Sequence, residues 1–163
     1  MQSQQFENVY STGLAQAQAN AAILIPATAE LARAAEDNEL AESLRAQVSE
    51  LSRQVDRLSE ILPNGASAQA DNALVALATQ ASATIPAHEL GPIRDPAIIA
   101  AMQHIQHYQI ATYGTLAAYA KMLGRHNEKR VLGALLEDER ALDEDLSVIA
   151  EAILSPEEHA VAA

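Results

Sequence analysis

Two helical stripes in this chain carry polar side chains where apolar ones are expected. Ile98, Met102, Ile105, Gln109, Thr112, Leu116, Tyr119 and Leu123 recur at spacings of three and four, and an amide holds one position of that seam. Leu132, Leu135, Leu136, Glu139, Leu142, Asp143, Leu146, Ile149 and Ile153 form a second stripe, with two carboxylates four residues apart on or beside its apolar face. Helix interiors hold amides and carboxylates only where these have partners. The chemistry open to such a set is metal ligation or a closed hydrogen-bond network. His104 and His107, three residues apart, present two imidazoles at a spacing usable for zinc or nickel, with His107 placed inward beside Gln106. A histidine pair without further ligands is more often an ordinary surface feature.

Other chemistries lack their residues. The chain has no cysteine, so it has no disulfide framework, thiolate metal site or thiol nucleophile. It has no Gly-x-Ser-x-Gly and no glycine-rich phosphate loop. Glu139 and Asp143 lie on one face of one helix, a poor arrangement for flanking a substrate bond, and no catalytic residue is expected. Tyr10, Tyr108, Tyr113 and Tyr119 are expected in the core with their hydroxyls on nearby acceptors. The runs Glu137-Asp138-Glu139 and Asp143-Glu144-Asp145 read mainly as solvated face.

Ten basic residues against twenty-two acidic give a net charge of -12, a field that repels phosphate backbones and anionic lipid. Neither nucleic acid nor a membrane surface is an expected partner. The opening MQSQQFENVYSTG has no basic region followed by an apolar run, and no stretch of eighteen apolar residues occurs, so the expected location is cytoplasmic. Abundant Ala, Leu, Glu and Gln, one Phe and no Trp favour close-packed helices over sheets. The fold class is all-α, and 163 residues suit one domain across 1–163.

Five helices are expected to position these groups. The first runs over about 5–35, with Phe6, Tyr10, Leu14, Ala22, Ile25, Thr28 or Ala29, and Ala32 inward; Pro26 predicts a kink or a break into two pieces. The second, 37–61, is capped by Asp37 or Asn38 and buries Leu40, Leu44, Val48, Leu51, Val55, Leu58 and Leu62. Leu62-Pro63-Asn64-Gly65 stops it. A weaker helix follows over 67–85. Asp95-Pro96 caps a long helix over 95–123, and Gly124 separates it from the last, 127–154, which ends in a small polar tail. Four long helices with an intermediate helical segment match a ferritin-like four-helix bundle, in which a crossover must join helices two and three.

The stretch DPAIIAAMQHIQHYQIATYGTLAAYAKMLG, residues 95–124, is similar to the third helix of the YciF/YciE-type ferritin-like proteins, a bacterial stress-associated family, with its Glu-His-Tyr-Glu-Ile-Ala-x-Tyr core. LLEDERALDEDL at 135–146 and LARAAEDNELAESLRAQVSELSRQVDRL at 31–58 also resemble that family, in the same order. The resemblance covers nearly the whole chain.

Members of that family resemble di-iron carboxylate proteins, and the resemblance implies where ligands would fall. The fourth-helix acids fall on Glu139 and Asp143. The two third-helix glutamates fall on Gln106 and Gln109, with His107 retained between them. The second-helix histidine falls on Gln47, three residues before Glu50. In the first helix, matching Ala15-Gln16-Ala17-Gln18 and Ile23-Leu24-Ile25-Pro26 places the glutamate on Gln18, whereas aligning back from Leu31 places it on Ala21; either way no acid is present. Glutamine keeps the shape of glutamate but not its charge. The expectation is therefore a non-catalytic, stress-associated helical protein with a degenerate metal site and no cofactor, acting as a homodimer or through a protein partner. The alternative is a di-iron or di-manganese carboxylate oxidoreductase or metal-binding protein on a reduced ligand set, Glu50, His107, Glu139 and Asp143.

Overall fold

A computed structural model describes residues 2–155; the polar tail expected after Ser155 lies outside them. Its helices are α1 (Gln2–Ala34), α2 (Asn38–Ile61), α3 (Asn72–Ala87), α4 (Arg94–Met122) and α5 (His126–Ile153). No strand occurs among the described residues.

Local chemistry sets most boundaries. Asp37 accepts the Leu40 N–H at 2.9 Å and starts α2, which ends where Leu62 turns extended before Pro63. Asp71 accepts the Ala73 N–H at 2.9 Å, so α3 starts there rather than near Ser67. This helix runs on through Pro86, which sits in its last turn. Gly124, at φ +71, takes the left-handed turn between α4 and α5.

Two local expectations are corrected. Of the kink or break expected at Pro26, the break is excluded: α1 is one helix from Gln2 to Ala34 with the proline on its exposed face. Asp95 does not cap α4, which starts at Arg94 and keeps Pro96 in its first turn, where no N–H partner is needed. Asp95 is buried and instead accepts the backbone N–H of Glu36, at 3.0 and 3.2 Å, and of Asp37, at 2.6 Å. It ties the start of α4 to the α1–α2 turn.

α1 pairs with α2 and α4 with α5; α2 also meets α5, while α3 packs on α1 and α4. One apolar cluster gathers Leu24, Leu31, Leu44, Leu51, Ile98, Met102, Ile105 and Leu146. The other gathers Tyr10, Leu14, Leu58, Tyr113, Leu116, Leu132 and Leu135. Three of the buried polar positions fall between them: Gln54 between Leu51 and Leu58, Gln109 between Ile105 and Tyr113, Glu139 between Leu135 and Leu146. On α1, Ala22 is exposed, and Ala21 and Leu24 turn inward in its place.

Candidate functional site

Four glutamines and one carboxyl group lie buried on the facing helices α2, α4 and α5: Gln47 and Gln54 from α2, Gln106 and Gln109 from α4, and Glu139 from α5, all at most 3% exposed; Asn20 and Thr28 of α1 are buried as well. Gln106 Nε2 donates to Gln47 Oε1 at 2.9 Å. A longer chain runs from α4 through α2 to α5: Gln109 Nε2 donates to the Tyr113 hydroxyl at 3.4 Å, that hydroxyl donates to Gln54 Oε1 at 2.9 Å, and Gln54 Nε2 donates to Glu139 Oε1 at 2.6 Å.

The ionised carboxylate dictates this direction. It has no proton to give, so Gln54 must turn its N–H towards it. The Gln54 carbonyl then faces Tyr113, which donates, leaving the phenol oxygen to accept from Gln109. One charge orders three neutral groups.

Glu139 holds that charge with difficulty. Burial pushes its carboxyl up from 4.5 to about 7; the Gln54 hydrogen bond pulls the other way, while the negative charges of Glu50 and Asp138 push it further up. The same burial, with Glu139 nearby, raises the Tyr113 phenol well above its ordinary value, so it stays a proton donor across the accessible pH range.

The remaining sequence-derived candidates sit outside this interior set. His107 is exposed rather than internal, with Nε2 at 3.2 Å from Asp143 Oδ2, and His104 is exposed too. The reason is angular: Gln106 faces α2, and the next residue on a helix points about 100° away. Glu50 pairs with Arg53 and Arg57. Gln18 is half-buried and donates to Ser59 Oγ at 2.6 Å across the α1–α2 seam, whereas Ala21 is fully buried.

Gln54 escaped the sequence reading. The apolar stripe expected on α2 ran through Val48 and Val55, both only half-buried. The buried face is a heptad pattern, Leu40, Gln47, Gln54 and Ile61 in one row and Leu44, Leu51 and Leu58 in the other. That seven-residue spacing was the available signal.

These residues do not fit a dinuclear metal centre. A carboxylate-bridged pair of dications needs several anionic ligands converging from the bundle helices. Beside the four buried glutamines the interior offers one carboxylate, already held by an amide N–H, and otherwise neutral amides whose N–H groups would repel a cation. Among the described residues no three His, Asp or Glu side chains gather so as to hold a metal ion.

The chain is similar to known proteins over most of its length. A family model described as "Domain of unknown function (DUF892)" matches residues 5–158. Protein YciF of Escherichia coli (strain K12) is 34% identical over 131 residues, 78% of this chain and 79% of that protein. The crystal structure of the E. coli stress protein YciF superposes with a TM-score of 0.87 at 31% identity, covering 91% of this chain and 96% of that one. YcfI from Rhodopseudomonas palustris gives 0.81 at 26% identity, covering 87% and 92%. The helices pack in the all-α, ferritin-like arrangement of these relatives. No helix among the described residues is long and apolar enough to cross a membrane.

Proposed function

The chain belongs to the family described as "Domain of unknown function (DUF892)", and from that membership we propose that it is a non-catalytic, stress-associated helical protein that works through self-assembly or partner contact. Its bundle interior is a degenerate metal site, sealed by amides. The whole chain is one ferritin-like domain, with α3 as the crossover between the α1–α2 and α4–α5 hairpins. The relative described as a stress protein supports the physiological setting.

The observation that carries the reading is the charge count around the buried amides: one carboxyl group, Glu139, among four buried glutamines, the other buried carboxylate, Asp95, being taken up by backbone N–H groups of the α1–α2 turn. A redox metal pair needs anionic ligands to neutralise it, and a hydrolytic site needs a nucleophile beside a base. The interior supplies neither. The reduced ligand set Glu50, His107, Glu139 and Asp143 is a weaker reading, because Glu50 is engaged with arginines and His107 is exposed.

The proposed partner is a second copy of the chain. A groove of about 360 Å³ between α1 and α4, edged by the exposed Val9 and by Leu116 and Tyr119, supports a contact on that face. Metal analysis of protein purified without chelators tests the central claim, with well under one metal ion per chain expected and two per chain refuting it. Sedimentation at micromolar concentration tests the assembly, and a clean 17.3 kDa species argues against the dimer.

A further inference from the structure

Three amide atoms in the interior find no hydrogen-bond partner among the described residues: Gln47 Nε2, Gln106 Oε1 and Gln109 Oε1. Their residues are at most 2% exposed. Gln47 and Gln106 are bonded to one another, and Gln106 and Gln109 are three residues apart on the buried side of α4. A buried polar atom without a partner bears the full penalty of its lost hydration. The set therefore calls for a guest.

Its unpartnered atoms are one donor nitrogen, which carries two N–H groups, and two acceptor oxygens. A cation would meet the Gln47 N–H head-on, an anion would meet two carbonyl oxygens, and an apolar guest would satisfy none of the three. A water molecule can donate two hydrogen bonds and still accept from the amide nitrogen. We propose that Gln47, Gln106 and Gln109 form a binding site for an internal water molecule, which accepts from Gln47 Nε2 and donates to Gln106 Oε1 and Gln109 Oε1.

Either orientation of the Gln47 and Gln106 amides leaves a donor and an acceptor unpartnered. Turning Gln47 and Gln106 over together keeps the bond between them and exposes Gln47 Oε1 and Gln106 Nε2 instead, again one donor and one acceptor. Gln109 cannot turn independently while Glu139 is ionised, because the chain through Tyr113 and Gln54 fixes its N–H on the phenol. The fourth unpaired buried atom, Asp143 Oδ1, belongs to a carboxylate whose other oxygen meets the exposed His107 at 3.2 Å, and it stands outside this count. Internal waters of this type make about three hydrogen bonds to otherwise unsatisfied groups, as the three glutamines provide.

The proposal rests on the reading of the interior as a neutral amide site, and one set of measurements separates the two. A crystal structure of the full chain at a resolution that places ordered water should show a peak about 2.7–3.2 Å from all three atoms. Side-chain amide protons of Gln47 should show water cross-peaks of the sign given by a long-lived bound molecule. Gln109→Met, which removes one acceptor at similar volume, should lose both signals while keeping the helical circular dichroism. If that variant fails to fold, the wild-type peak and cross-peaks decide alone. Dry, re-paired amides in a metal-free crystal would overturn the water site only, and a fully occupied metal ion at metal–ligand distance from these side chains would overturn both readings.

Discussion

Replacing Glu139 by Gln should make the protein more stable at alkaline pH and remove a downward slope from its stability profile. Glu139 is 3% exposed and its carboxyl is raised from 4.5 to about 7 in the folded state. A folded group that holds its proton more tightly than the unfolded chain does loses stability as pH rises between the two values. Below pH 4.5 the acid is protonated in both states and contributes no penalty; the penalty grows through pH 7 and is complete above it. The gap between 4.5 and about 7, at about 1.4 kcal/mol per pH unit, is roughly 3 kcal/mol.

Glutamine at 139 keeps a carbonyl oxygen for the Gln54 N–H and never ionises. The variant should therefore match the wild type near pH 4 and exceed it by roughly 3 kcal/mol at pH 8, a rise in midpoint of about 6–12 °C for a chain of this size. Urea and thermal unfolding followed by circular dichroism from pH 4 to 9 would measure the difference. Subtracting the two profiles removes what the rest of the chain contributes to both proteins and isolates residue 139. A flat difference, or a variant less stable than the wild type at pH 8, would refute the claim that this carboxyl is destabilised by burial.

Tyr113→Phe should lower stability by about 1–3 kcal/mol in urea unfolding, because it strands Gln54 Oε1 and Gln109 Nε2 while sparing the Gln54–Glu139 bond. Asp95→Asn should lower it by about 2–3 kcal/mol, since an amide cannot replace a carboxylate that accepts from both Glu36 and Asp37 N–H groups; an unchanged unfolding midpoint would remove Asp95 as the tie between α4 and the α1–α2 turn. Converting Gln106 and Gln109 together to Glu should destabilise the apo protein and create a thermal shift with added Mn²⁺ that the wild type lacks. An equal shift in both proteins would show that the missing charge is not what excludes the metal.

Much of this arrangement is legible in the sequence. The unbroken three-and-four spacing around Gln109 made its burial readable, since turning it outward would also turn out Ile105 and Leu116. Glu139 was legible for the same reason between Leu135 and Leu146. The interior face of α2 was misread by one residue, because Val48 and Val55 looked more apolar than the glutamines beside them; a rotation of about 100° separates the two choices, and the apolar pattern alone did not distinguish them. His107 was misplaced by the same angle. The tie made by Asp95 was illegible, because its partners lie 58 and 59 residues away and an Asp-Pro pair at a helix start ordinarily reads as a local cap.

The order of the interior chain gives Glu139 an influence beyond its own contacts. When it is ionised, hydrogen bonds run from Gln109 through Tyr113 and Gln54 to the carboxylate. When it is protonated it can donate to the Gln54 carbonyl; Gln54 then turns its N–H to the phenol oxygen, and Tyr113 donates to the Gln109 carbonyl. Every bond survives and every direction reverses, so a proton taken up on α5 changes which atom Gln109 presents on α4. Amides and a phenol permit this because each both donates and accepts. Leucine at position 54 would break the chain and leave Glu139 and Tyr113 facing apolar carbon, and a second carboxylate there would set two like charges against each other. Glutamine at 54 is a side chain of that size that serves both protonation states of Glu139.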